Sequence, residues 1–266
     1  MTNLSTNLPQ VIWQVLGQQL HFEPAPATKP LVMGIVNTTS DSFSDGGQFL
    51  DPADAVTHAV QLVDEGANII DIGGQSTRPG ALPVSLELEI ARVIPVIEGV
   101  RKKSEVLISI DTSKAEVARR ALASGAQIIN DVTALCEDPE MLGVAANCDA
   151  GLIVMHMLGT PKTMQTAPTY DDVVADVTAF LREQLTRLTR NGVARERIAI
   201  DPGIGFGKTV EHNLRIIREL AALGSLGRPI CLGASRKHFI GKVLNRPIDQ
   251  RVYGSVAVAL AGYFRG

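Results

Sequence analysis

The sequence predicts a single α/β domain built as a TIM-type (β/α)8 barrel, and three observations carry that prediction. From Leu31 onward, short apolar runs alternate with longer stretches of helical spacing, the order that yields parallel strands joined by right-handed crossovers. The apolar runs are continuous rather than alternating, as strands buried on both faces require. Nearly every run ends in Asn, Asp, His or Ser, so polar chemistry follows strand after strand, as in a barrel. An open doubly wound sheet would place it at one switch point, commonly with one dominant nucleotide loop. A length of 266 residues suits one such barrel, which commonly runs to about 250 residues.

Residues 1–30 read as an N-terminal extension and 31–266 as the barrel domain. Within the extension, Val11 to Phe22 suggests a short hairpin turning at Gly17-Gln18, and Pro24, Pro26 and Pro30 resist helix. Seven strands are expected, at 31–37, 68–74, 106–111, 126–131, 151–156, 197–201 and 229–235. Seven helices are expected at about 52–66, 85–103, 114–124, 138–147, 171–191, 209–223 and 248–263. Asp51-Pro52, Asp138-Pro139 and Arg246-Pro247 put proline at or near a first helical position. Gly66, Gly125 and Gly192 stand where a helix ends in the left-handed conformation.

Composition removes several classes of function. Lys+Arg 25 against Asp+Glu 28 leaves a net charge of −3, without the basic excess of a nucleic-acid-binding chain. A 45% hydrophobic fraction with 20% charged residues excludes a disordered chain. Cys136, Cys148 and Cys231 form no CxxC pair, so neither a disulfide framework nor a zinc site is expected, and a reducing compartment fits. The first residues carry no basic start or long apolar core. The longest apolar run, Val256 to Phe264, falls far short of the roughly 20 residues that span a bilayer. A cytoplasmic protein is expected.

The strand ends hold the candidate chemistry. Asn37 opens a polar, Gly-ended stretch to Gly47, either a ligand loop whose amide meets an anion or Mg²⁺-bound oxygens, or a solvated turn. Gly73 to Gly80 contains Arg78, whose planar fork suits carboxylate or phosphate, or which is simply exposed. Asp111 ends a buried strand, where an unpaired carboxylate is costly. It either accepts N–H groups from a heterocycle or caps the next helix, a task Ser113 can take over. Asn130 can donate and accept at once, matching an amide-like ring edge. Asp201 begins Asp-Pro-Gly-Ile-Gly-Phe-Gly-Lys-Thr. This resembles a P-loop only at its end, since Pro202 occupies the first required glycine position, and its GxGxG spacing is not the dinucleotide fingerprint. A Gly-rich turn carrying backbone close to a flat ligand, walled by Phe206, remains. Lys237, after Ser235-Arg236, can pair with strand-end carboxylates and with a ligand carbonyl. His156 reads as a structural histidine and Met155 as a core or pocket-floor residue. No histidine spacing suggests a metal centre, and no GxSxG elbow is present. Such a site suits positioning two reactants and stabilising an anionic leaving group.

Taken together and in order, SerAspSerPheSerAspGlyGly after Asn37, AspIleGlyGlyGlnSerThrArgProGly, SerIleAspThrSerLys, IleIleAsnAsp, MetHisMet with ThrProLysThrMetGln, AspProGlyIleGlyPheGlyLys and GlyAlaSerArgLys strongly resemble the dihydropteroate synthase family over about residues 31 to 262. Thr38 and Ser40 depart from it, standing where an aliphatic residue and Pro are usual. The resemblance implies condensation of 6-hydroxymethyl-7,8-dihydropterin diphosphate with 4-aminobenzoate to 7,8-dihydropteroate and diphosphate, with Mg²⁺ as cofactor and sulfonamides as aminobenzoate-mimicking inhibitors. It implies that Asp111, Asn130, Asp201 and Lys237 hold the pterin, with Met155 and Phe206 beside it, and that Asn37 meets the Mg²⁺-diphosphate. Asp41, Phe43, Thr77, Arg78 and Pro79, with Ser235, would order around the diphosphate and build the aminobenzoate pocket. A homodimer through late helices is the family habit. The family's eighth strand, ending Arg-x-His-Asp, and the helix after it have no counterpart before Gly266, so weakened or absent activity is expected of the 266-residue chain unless another segment or subunit closes the gap. The alternatives are a catalytically impaired pterin-binding homologue and a corrinoid-linked pterin methyltransferase domain. The SerThrArgPro and SerArgLys loops favour the synthase.

Overall fold

In the computed structural model, residues 11–23, 25–39, 51–76, 81–160, 163–164 and 166–266 are described. Six parallel strands form one sheet in chain order: β3 (Met33–Asn37), β4 (Ile69–Gly73), β5 (Leu107–Asp111), β6 (Ile128–Asp131), β7 (Gly151–Met155) and β8 (Ile198–Asp201). They are preceded by a two-stranded antiparallel hairpin, β1 (Val11–Val15) and β2 (Gln18–Phe22). The helices α1 (Pro52–Asp64), α2 (Leu86–Arg101), α3 (Ala115–Ala123), α4 (Met141–Ala146) and α5 (Val173–Arg190) each follow a strand from β3 to β7, and α6 (Val210–Arg218) follows β8. α7 (His238–Leu244) and α8 (Val252–Tyr263) complete the order.

The period of two along each strand divides the core. Ile70, Ile72, Ile108, Ile110, Ile129 and Leu152 join the side chains of α2, α3 and α5 in one cluster. Ile69, Ile128, Ile153 and Ala199, on the opposite strand face, gather around Trp13 and Val15 of the hairpin. β1–β2 thus covers the N-terminal ends of the strands, and Trp13 Nε1 donates to the Arg197 carbonyl at 2.8 Å. The C-terminal ends are left for chemistry.

Local signals account for most boundaries. Asp51 caps α1 by accepting from Ala53 N, with Pro52 at the first turn. Gly66, Gly125 and Gly192 all have positive φ. Five details differ from expectation. The hairpin turns at Leu16-Gly17, both at positive φ, one residue before the expected turn, which suits the tight two-residue connection. The segment 229–235 is not a full strand. It joins β8 through Ile200 N to the Pro229 carbonyl at 2.9 Å and Cys231 N to the Ile200 carbonyl at 2.8 Å, then turns away through Gly233 to Arg236, whose φ is +53°. α7 was not expected at all; it is seven residues long with Gly241 inside it. The helix expected over 248–263 is a 3₁₀ turn, Ile248–Gln250, followed by α8. Ser113 does not cap α3. Asp138 Oδ2 accepts from Ala115 N at 2.8 Å and Thr112 Oγ1 from Lys114 N at 3.2 Å, so Asp111 is free of that role.

Candidate active site

Register aligns the site. Asn37 pairs with Gly73, Gly73 with Asp111, and Asp111 with Asn130, one level across four neighbouring strands. Met155 pairs with Asp201 at the ends of β7 and β8. Gly73 is the gap in the row. A Cβ there would lie 3.5 Å from Asp111 Oδ2 and 3.8 Å from Asn37 Oδ1, so its absence brings these two oxygens to one space. Lys237 reaches in from the far end of the sheet. Its Nζ sits 4.1 Å over the Phe206 ring, a distance at which an ammonium is attracted by the ring face.

The electrostatics are those of a buried ionic cluster. Burial pushes Asp201 up to about 6, against the Gly203 N–H and the positive charges of Lys237 and Lys208. Burial, then the neighbouring carboxylates Asp71, Asp131 and Glu89, raise Asp111 well above the usual range, with Lys237 opposing. Burial lowers Lys237, against the attraction of Asp201 and Asp111. One lysine on the last segment thus serves carboxylates on β5 and β8, which requires the sheet to curl round as a barrel does.

Asp201 Oδ1 also accepts from Gly203 N at 2.6 Å. The turn after it is fixed at several points. Gly205 N donates to Asn213 Oδ1 at 2.7 Å, and Tyr170 Oη to the Gly207 carbonyl at 2.7 Å. A Cβ on Gly203 would overlap the His156 carbonyl oxygen, so only glycine allows this approach.

Asp111, Asn130, Met155, Asp201, Phe206 and Lys237 therefore surround the C-terminal ends of β5 to β8, and Asn37 stands beside Asp111. Ser235 is exposed at the rim. Asp41, Phe43, Thr77, Arg78 and Pro79 lie outside the described residues. His156 is structural. It is packed by the edge of Phe180 at 5.0 Å between ring centres, and burial, then the Lys208 charge, lowers it to about 3. Asp131 is also structural, accepting from Thr133 N at 2.8 Å, Thr133 Oγ1 at 2.7 Å and Leu135 N at 3.1 Å.

One site residue escaped the sequence reading. Asp71, in the middle of β4, accepts from Asn130 Nδ2 at 3.2 Å. Its Oδ1 and the Oγ of Ser109, its register partner on β5, have no well-formed hydrogen bond among the described residues. Burial raises Asp71 above the usual carboxylate range, with the nearby Ser109 hydroxyl and then the Asn130 amide opposing. The signal was in Ile70-Asp71-Ile72. The two isoleucines face the helices, so a carboxylate between them must face the barrel interior.

Such a pocket, carboxylates and an amide on one side and an ammonium over an aromatic ring on the other, has the chemistry of an α/β barrel suited to a flat, nitrogen-rich heterocycle at its strand ends. Comparison with known proteins agrees. The family of pterin binding enzymes matches residues 33–266. Dihydropteroate synthase of Escherichia coli is 48% identical over 237 residues, 89% of this chain and 84% of that one, and the enzyme of Bacillus subtilis is 43% identical over 252 residues, 94% and 86% of the two chains. Among solved structures, Xanthomonas albilineans dihydropteroate synthase with 4-aminobenzoic acid has a TM-score of 0.88 at 44% identity, covering 97% of this chain and 90% of that chain. The Burkholderia cenocepacia enzyme complexed with 7,8-dihydropteroate has 0.84 at 43% identity, over 96% and 88%. The chain belongs to the dihydropteroate synthase family.

Proposed function

We propose that this barrel condenses 6-hydroxymethyl-7,8-dihydropterin diphosphate with 4-aminobenzoate, releasing diphosphate and 7,8-dihydropteroate, and that it does so with the residues gathered at the ends of β5 to β8. The observation that carries the residue assignment is the convergence of Asp111 and Asp201 on Lys237, beside Asn130. Carboxylates accept the ring and amino N–H groups of a pterin. Asn130 meets an amide-like edge with both a donor and an acceptor. Lys237 donates to the pterin carbonyl while Phe206 and Met155 border the ring. No side chain here is placed as a nucleophile, so the site works by holding and by charge. As the diphosphate departs, positive charge develops at the exocyclic methylene, and the Asp201 carboxylate, ionised above about pH 6, stabilises it in a buried setting, where such charges act most strongly. The arylamine of 4-aminobenzoate then attacks that carbon, forming the C–N bond in place of the lost C–O bond to diphosphate, and gives up its proton to the released diphosphate or solvent.

Mg²⁺ would be held at the Asn37 corner. The donor set there is hard oxygen, Asn37 Oδ1 with Asp111 Oδ2 across the Gly73 gap. This suits an ion that takes few protein oxygens and completes its shell with water and substrate phosphates. Among the described residues no group of three or more His, Cys, Asp or Glu could hold a metal unaided. When bound, the ion would neutralise charge on the departing diphosphate. Asp41, Phe43, Thr77, Arg78, Pro79 and Ser235 would complete the diphosphate and aminobenzoate side, where sulfonamides would compete. Residues 31–266 would form the catalytic domain, with 1–30 as an N-terminal extension. A cytoplasmic homodimer fits best. No helix among the described residues is long and apolar enough to cross a membrane, and several apolar side chains of α7 and α8 stand exposed. Steady-state release of diphosphate, dependent on both substrates and inhibited by a sulfonamide, is the test. Pterin binding by calorimetry with no diphosphate release would sink the condensation.

A further inference from the structure

The Gly-Lys-Thr ending that resembles a P-loop leaves one group without a role, Lys208. It is 3% exposed, and a buried lysine is costly unless paired or hydrogen-bonded. Its Nζ lies 2.9 Å from His156 Nδ1, 2.9 Å from the Phe206 carbonyl oxygen and 3.4 Å from the His156 carbonyl oxygen. An ammonium has three N–H donors, and three acceptors surround it. His156 is held in turn by the rings of Phe180 and Tyr170. The lysine therefore fastens the Gly203–Gly207 turn, through the backbone of Phe206, to the end of β7. That turn carries both the ring beneath Lys237 and the N–H that binds Asp201.

We propose that Lys208 is a positioning residue of the pterin pocket, setting the Phe206 wall and supplying a second buried positive charge beside Asp201 without touching the ligand. This rests on the reading of the site as a pterin pocket. The titratable and charged groups around Asp201 are Lys208 on its own loop, Lys237 and Cys231 on the segment after it, and His156 just after β7, while Asp111 shares Lys237 with it and Asp71 shares Cys231. Of these, Lys208 and Lys237 lower the Asp201 pKa; burial lowers Lys208 itself to about 7, so it carries its charge in the range where Asp201 titrates. Removing one positive charge makes Asp201 protonate at higher pH.

The test compares the full chain with K208M and K208Q. The readouts are KM for each substrate, the pH profile of kcat/KM for the pterin diphosphate, and calorimetric affinity for 6-hydroxymethylpterin. Methionine removes donors and charge, whereas glutamine keeps two of the three donors and loses the charge. The pterin KM and Kd should rise by roughly tenfold in K208M and less in K208Q, with the aminobenzoate KM changing less than twofold. The acid limb should move to higher pH by about half a unit or more in both variants. If K208M does not fold, the limb of K208Q carries the test. Wild-type pterin affinity with an unmoved acid limb, whatever happens to thermal stability, overturns the proposal. A wild-type chain that binds pterin but releases no diphosphate fails the condensation alone, and calorimetric affinity against pH then decides for or against Lys208. A wild-type chain that binds no pterin overturns both.

Discussion

Asp201 shows how a buried side chain proposed to bind substrate can work against the fold that holds it. Its pKa of about 6 in the folded protein lies above the roughly 3.9 of an unperturbed aspartate, because burial disfavours the charged form. The carboxyl therefore contributes stability that is fully present below about pH 4 and is lost as pH rises through 6. Asp201→Asn removes that pH-dependent cost while keeping an oxygen to accept from Gly203 N. The variant should be more stable than wild type at pH 8, by an amount on the order of 1–3 kcal/mol, with the gain vanishing near pH 4. Denaturant melts at the two pH values check this. Pterin affinity should fall by about 10- to 100-fold, the worth of a charge-assisted hydrogen bond, and kcat/KM of wild type should fall as pH drops through 6. Unchanged affinity in Asp201→Asn would remove it from the pterin site. Asp111, Asn130, Asp201 and Lys237 were legible in the sequence because each ends or follows an apolar run. Asp71 was not, because a carboxylate in mid-strand carries no positional signal until the two faces of the strand are told apart.

At the scale of elements, the turn after β8 and the short helix α4 make a controlled contrast between two glycines. Gly203 has φ +68°, and a side chain there would overlap the His156 carbonyl oxygen. Gly143 lies inside α4 with nothing within 4 Å of where a Cβ would stand. Gly143→Ala should stabilise the chain by about 0.5–1 kcal/mol through helix propensity and unfolded-state entropy. Gly203→Ala should destabilise by about 3 kcal/mol or more, since it combines strain at positive φ with a backbone collision, and should abolish pterin binding with it. Urea midpoints of the pair decide the matter, and a tolerated Gly203→Ala would mean that the turn is not fixed against β7. Element boundaries were legible where backbone chemistry dictates them, as at Asp51-Pro52, Gly66, Gly125 and Gly192. They were illegible where the outcome depends on tertiary pairing. The run Pro229 to Ser235 has strand composition, yet only Pro229 to Cys231 bonds to β8, and α7 is too short to show a periodicity.

For the whole molecule, alternation of strand and helix was enough to predict the barrel, but not which surface it leaves uncovered. α8 is apolar around most of its circumference, and only Gly262 in it is buried. Tyr253 is 89% exposed, and Val252, Val256, Leu260 and Phe264 are exposed near it, as are Val243, Leu244 and Ile248 from α7 and the turn after it. A helix apolar on all sides is normally a buried one, and contiguous apolar surface of this kind marks an interaction site. A homodimer would cover it, at the roughly 1,200–2,000 Å² that stable interfaces bury. The site lies at the strand ends and is reached by Lys237 from just before α7, so the same helices that would pair two chains also support one wall of the pocket. Sedimentation equilibrium should therefore give twice the chain mass at micromolar concentration. Val256→Glu with Leu260→Glu should give the single-chain mass by placing charges in the apolar contact, where an unpaired charge is costly. The paired variant should retain pterin binding at the strand ends and lose affinity for its own copy by about 100-fold or more. A wild-type chain that sediments as a monomer at 100 times that concentration, on the order of 0.1 mM, would refute self-association as the cover for α8.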